Sequence, residues 1–137
     1  MFQPNREALA WVAGFFDGEG SAHVGRTTNG YKNVPSSDRQ YPTPVLQVSQ
    51  AGTHPQELLE RFQRAVGGLG AVNGPYKATR AGQSDFYKWT ANGHRSVQAV
   101  VAMLWAFLGP VKRTQVKQML TKYLAESPRR QSRIAVA

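Results

Sequence analysis

Val12-Ala13-Gly14-Phe15-Phe16-Asp17-Gly18-Glu19-Gly20 runs from apolar side chains into two acids framed by glycines. Its first half continues a helix. Asn5 is a good N-cap, and from Arg6 onward Leu9, Val12, Ala13 and Phe16 recur at helical spacing, giving one apolar stripe that should end near Asp17. Ala10 and Gly14 lie four apart, so the same helix carries a ridge almost free of side chains, along which a second backbone can approach closely. Asp17 and Glu19 then fall at the negative end of the helix dipole, which disfavours a carboxylate by roughly 0.3–1 kcal/mol. Something must compensate. Gly18 and Gly20 remove side chains on either side and permit a tight exit. Two readings of the acids are open: helix-end and turn residues with no further role, or oxygen ligands for a hard divalent cation in a basic protein.

Outward from this stretch, Ser21 to Thr28 sets Ala22 and Val24 against Ser21, His23 and Thr27, the pattern of a strand with one wet face. Asn29, Gly30, Pro35, Ser36, Ser37, Pro42 and Pro44 mark residues 29–44 as a long hairpin connection. Val45 to Gln50 alternates again as the returning strand. Thr53, His54 and Pro55 announce a helix with Leu58, Leu59, Phe62, Ala65 and Val66 on its apolar face, stopped by Gly67 and Gly68. A second strand pair follows, Ala71 to Arg80 and Phe86 to Thr90, joined around Ala81–Ser84. Val97, Val100, Val101, Leu104, Trp105 and Leu108 mark a helix broken by Gly109 and Pro110, and Val116, Met119, Leu120, Tyr123 and Leu124 mark the last. The order is that of an α+β domain in which two antiparallel hairpins form one four-stranded sheet with helices on one face.

The 137 residues suit one domain, read as 1–126, with a basic and loosely ordered tail over 127–137 that holds Arg129, Arg130 and Arg133. Seventeen Lys and Arg against eight Asp and Glu give a net charge of +9, which points to a polyanionic partner. There is no cysteine, which excludes disulfides, Cys-ligated zinc and thiol catalysis. The longest apolar stretch, Val97 to Leu108, is too short for a membrane span. A soluble intracellular protein is expected, its compartment left open.

The quoted stretch resembles the nine-residue signature of the LAGLIDADG homing endonucleases. Ala13, Gly14, Asp17 and Gly20 agree with it outright, Phe15, Phe16 and Gly18 are common substitutions, and Glu19 stands at the final acidic position. The likeness continues in the element order, which matches the family's αββαββα core with its saddle-shaped DNA-binding sheet. It extends to Gln47-Val48-Ser49-Gln50, similar to the end of the family's second strand, and to Phe107-Leu108-Gly109-Pro110-Val111-Lys112-Arg113, which supplies a basic residue after an apolar stretch.

The resemblance implies a homodimer, because the motif occurs once and family members pair two motif helices. Ala10, Ala13, Gly14 and Asp17 would lie at that interface, Asp17 mainly supporting the helix end. Glu19, with the backbone of Gly18, would hold Mg²⁺, two or more ions per dimer, beside the scissile phosphates, while Gln50 and Lys112 match the family's polar and basic active-site residues. The implied partner is double-stranded DNA, with no membrane and no small-molecule cofactor. His23, Arg26, Thr27, Gln47, Lys77, Arg80 and Lys88 would contact DNA from the sheet, and Tyr31, Lys32 and Arg39 from the long loop. His23 and His54 are too poorly spaced to suggest a metal site of their own.

The implied activity is a site-specific, divalent-metal-dependent double-strand break at a long pseudo-palindromic target, by an enzyme of the kind encoded in introns or inteins. Two alternatives belong to other classes. One is a non-catalytic binder of the same fold, an RNA splicing maturase or a DNA-binding regulator, against which the acid at position 19 argues. The other is a generic RNA-binding module that stacks bases on Tyr76, Phe86 and Tyr87.

Overall fold

A computed structural model describes residues 2–27 and 41–127. The expected loop contacts Tyr31, Lys32 and Arg39 and the tail arginines lie outside the described residues. Helix α1 (Arg6–Glu19) leads into strand β1 (Gly20–Thr27); then come β2 (Tyr41–Ala51), α2 (Pro55–Ala65), β3 (Ala71–Tyr76), β4 (Phe86–Asn92), α3 (His94–Leu104), a 3₁₀ turn (Trp105–Phe107) and α4 (Pro110–Glu126). The strands form one antiparallel sheet in the order β1-β2-β4-β3. The α+β reading and the element order therefore hold. No helix among the described residues is long and apolar enough to cross a membrane.

Helix α1 starts as its sequence dictates, with the Ala8 N–H donating to Asn5 Oδ1 at 2.9 Å. It runs two residues further than the apolar stripe suggests, to Glu19, and the Gly20 N–H closes it by donating to Phe16 O. A Cβ at Gly20 would come within 2.3–2.6 Å of the Phe16 ring, which is fully buried and has no room to retreat. Gly20→Ala is therefore expected to lower stability by about 1–3 kcal/mol in urea unfolding. An unchanged midpoint would show that the helix-to-strand exit is not packed in this way.

Two expected strand boundaries are corrected. Strand β2 begins at Tyr41 and includes Pro42 and Pro44, which polarity and proline content assign to the loop. These prolines pair with Arg26 and Val24 on the β1 side, while pairing with β4 starts only at Val45. The Pro44 carbonyl accepts from the Gly93 N–H at 3.1 Å, so the edge on which Pro44 has no N–H to offer lies past the end of β4, where no ladder bond is required. Strand β3 stops at Tyr76 rather than Arg80. Asn73 still opposes Lys88, but the register shifts before Tyr76 meets Phe86, and Pro75 within that shift has no N–H to donate.

The helices cover one face of the sheet. Leu46 and Val48 of β2 and Trp89 and Ala91 of β4 point into a core completed by Leu9, Val12, Ala13 and Phe16 of α1, Leu59 and Phe62 of α2, Val97 and Val100 of α3, and Val116 and Met119 of α4. Trp89 packs its ring, tilted by 52°, with its centroid 4.6 Å from that of Phe62 and donates its indole N–H to the Leu69 carbonyl at 3.0 Å. The other face is free of helices. Ser127 is buried and its N–H closes α4 by donating to Tyr123 O, so the packed domain reaches 127.

Candidate DNA-cleavage site

The acids at the end of α1 have different surroundings. The Asp17 carboxylate is half-buried and accepts the Gly109 N–H on both oxygens, at 3.0 and 3.1 Å. Gly109 is the N-cap of α4, so this carboxylate sits at the positive end of a second helix. That is the compensation its position requires. Asp17 thus clamps the end of α1 onto the start of α4, a helix-end role of the kind expected of it. Asp17→Ala is expected to cost about 1.5–3 kcal/mol, the range for a hydrogen bond to a charged acceptor. Asp17→Asn, which keeps one acceptor oxygen, should lose less, and equal urea midpoints for the two variants would contradict the clamp.

Glu19, by contrast, is exposed, and its carboxylate has no hydrogen bond or ion pair with any described residue. Gly18 beside it is open, with nothing within 4 Å of a Cβ built there. Gly20 opposes Val48 in the β1-β2 ladder, so Gln50, two residues further along β2, lies level with the last turn of α1. Its side-chain amide donates to Ser49 O at 2.9 Å and is half-buried. Lys112 stands in the first turn of α4, three residues after the clamped Gly109, with Nζ donating to Gln115 Oε1 at 3.3 Å. The register thus sets Gln50 two residues beyond the partner of Gly20, and the clamp sets Lys112 one helical turn from Asp17.

No group of three or more His, Cys, Asp or Glu side chains among the described residues is placed to hold a metal ion. At the end of α1 the described residues offer the unpartnered Glu19 carboxylate and, next to it in the chain, the Gly18 carbonyl. Such a donor set fits Mg²⁺, which keeps several waters and uses one or two carboxylates together with substrate phosphates.

On the exposed side of α1, Ala10, Gly14 and Gly18 follow one another at four-residue steps, and a Cβ at Gly14 would meet nothing within 4 Å. The ridge is thus present and unoccupied by the described residues. Ala13 is not part of it. It is fully buried in the chain's own core, a correction to its expected interface role, because it lies a hundred degrees round the helix from Gly14.

Pairing register sorts the expected DNA contacts. The helix-free face carries Ser21, His23 and Thr27 from β1, Gln47 and Ser49 from β2, Asn73 and Tyr76 from β3, and Phe86, Lys88 and Thr90 from β4. Arg26 does not share that face. It alternates with Ala22 and Val24 and meets Glu126 of α4 at 3.4 Å, on the helix side. Lys77 and Arg80 are exposed but lie past the end of β3, in the 77–85 connection, not on the sheet. Of the three aromatics considered for base stacking, Tyr76 and Phe86 are on the free face, while Tyr87 packs against the core. Sequence reasoning missed Gly109 as the partner of Asp17, for which no local signal exists.

Neither a scan of family models nor a search of curated proteins gives a match to the sequence. Solved structures do. The homing endonuclease I-CvuI in complex with its target superposes with a TM-score of 0.63 at 24% identity over 85% of this chain and 65% of that one. The homing endonuclease I-TnaI gives 0.61 at 20% identity, over 90% of this chain and 86% of that chain. The LAGLIDADG meganuclease I-AabMI bound to uncleaved DNA gives 0.60 at 17% identity, covering 87% of this chain and 35% of that chain. The fold is that of the LAGLIDADG homing endonucleases. The chain spans just under two thirds of I-CvuI and about a third of I-AabMI, most of I-TnaI. The stretch that resembles the LAGLIDADG signature lies on α1 and the turn into β1.

Proposed function

We propose that the chain is a site-specific, Mg²⁺-dependent DNA endonuclease that acts as a homodimer on a long, roughly palindromic duplex. The observation that carries this reading is the exposed Glu19 carboxylate, without a partner among the described residues, two residues after the Asp17 clamp that joins the end of α1 to the start of α4. In a dimer joined along the Ala10-Gly14-Gly18 ridge, two such carboxylates would flank the axis, one for each strand of DNA. DNA complexes among the structures of the same fold support a duplex as the partner.

The Glu19 carboxylate and the Gly18 carbonyl would hold the metal. When bound, Mg²⁺ lowers the pKa of the attacking water and offsets charge on the phosphate and leaving oxygen. The chain's own residues do the rest. The Gln50 amide hydrogen-bonds and orients solvent beside the phosphate, and the Lys112 ammonium favours the more highly charged transition state. The helix-free face of the sheet presents hydroxyls, amides, one imidazole and the Lys88 ammonium, a set suited to base edges in the major groove, with further cations outside it for phosphates.

The direct test is incubation of the purified chain with Mg²⁺ and a library of randomised duplexes, followed by sequencing of the ends produced. Paired ends at one recurring, two-fold-related sequence are expected. A library that stays uncut while duplexes are retained on the protein would favour a non-catalytic binder of the same fold.

A further inference from the structure

On the free face of the sheet, one lysine is seated against a pair of aromatic rings. Tyr76 and Phe86 oppose each other across β3 and β4 and stack with centroids 5.5 Å apart. The ammonium of Lys88, two residues along β4 and on the same face, lies 5.1 Å from the Tyr76 centroid and 5.6 Å from that of Phe86. Both distances are within the range for attraction of a cation to a ring face. Tyr76 is one of the few large apolar side chains left exposed, at 40%. Among the described strand residues of this face, Lys88 carries the one permanent charge.

We infer that Lys88, seated on the Tyr76-Phe86 shelf, is a specificity-determining residue that reads a guanine in each half-site. The inference rests on the endonuclease reading above, and it adds a base identity and a position. A free surface lysine is a mobile point charge that suits any phosphate. A lysine drawn over two stacked rings is restricted in direction and sits among neutral side chains, Asn73 and Ser49, which flank it across the ladder. An ammonium only donates, and in the major groove guanine presents two adjacent acceptors, O6 and N7, where adenine offers a donor beside N7 and thymine a methyl beside O4. Ser49, opposite Lys88, is one residue past Val48, which opposes Gly20 at the end of the motif helix. The guanine therefore lies in the inner part of each half-site, near the cut, and is repeated by the two-fold symmetry.

The test is selection of bound duplexes from a randomised pool in Ca²⁺ by the full chain and its Lys88→Ala and Tyr76→Ala variants, each checked for an unchanged thermal transition. The wild-type chain is expected to enrich G·C at one inner position of each half-site. Lys88→Ala should lose that preference by roughly 10- to 100-fold, leaving the other positions as they were. Tyr76→Ala, with the lysine intact, should relax the same position in part. If Lys88→Ala retains the guanine, or weakens all sequences equally and lowers the salt slope by about 1, Lys88 is a phosphate contact and the inference fails alone. If Tyr76→Ala selects as the wild type does, the shelf has no part in it. Should the wild-type chain enrich no duplex whatever, the endonuclease reading falls with it.

Discussion

Glu19→Gln is expected to lower the single-turnover rate of DNA cleavage in Mg²⁺ by about 10³-fold or more, because charge stabilisation by a metal ion supplies several kcal/mol and the amide is a poor ligand for it. The substitution keeps shape and removes charge. Since the Glu19 carboxylate is exposed and partners no described residue, the folded chain loses nothing it uses, and stability should stay within about 0.5 kcal/mol of wild type. Duplex binding should persist, as one repelling charge near the phosphates is gone. The three readouts together separate a ligand from a structural acid: Asp17→Ala loses stability first and activity as a consequence, Glu19→Gln loses activity alone. Normal cutting by Glu19→Gln would show that Glu19 does not hold the metal.

Physical locality explains which parts of this molecule are legible in its sequence. The start of α1 is readable because Asn5 and the Leu9-Val12-Phe16 stripe act within one or two turns. The start of β2 is not, because prolines argue against a strand unless one knows that the neighbouring strand ends before reaching them. Arg26 shows the difference between polarity and parity. Its charge groups it with His23 and Thr27, but strict alternation groups it with Ala22 and Val24, and the ion pair with Glu126, a hundred residues away, agrees with alternation. Asp17 is the clearest limit. That it needs a compensating partner follows from the helix dipole, yet the partner is a backbone N–H 92 residues further on, which no spacing rule reveals. Ala10 and Gly14, by contrast, are legible as a ridge, and Ala13, which falls on the apolar stripe with Leu9, Val12 and Phe16, is legible as core.

The ridge also supports an expected result with two readouts of opposite sign. Gly14→Glu should leave the isolated chain as stable as wild type or raise it by about 0.5 kcal/mol, since Gly14 is exposed, nothing lies within 4 Å of its missing Cβ, and glutamate is the better helix former. Dimerisation should respond the other way. If two α1 helices meet along Ala10, Gly14 and Gly18, the variant places two carboxylates near the axis at the point of closest approach. Removing each from water costs several kcal/mol, so the dimer should weaken by about 10³-fold or more. Sedimentation should then find monomers at concentrations where the wild-type chain is dimeric, and double-strand cleavage should disappear although Glu19, Gln50 and Lys112 are intact. A destabilised variant would mean that α1 is covered by its own chain after all. A variant that stays dimeric and active would move the subunit junction away from this ridge, and with it the argument that two exposed carboxylates can face the two strands of one duplex.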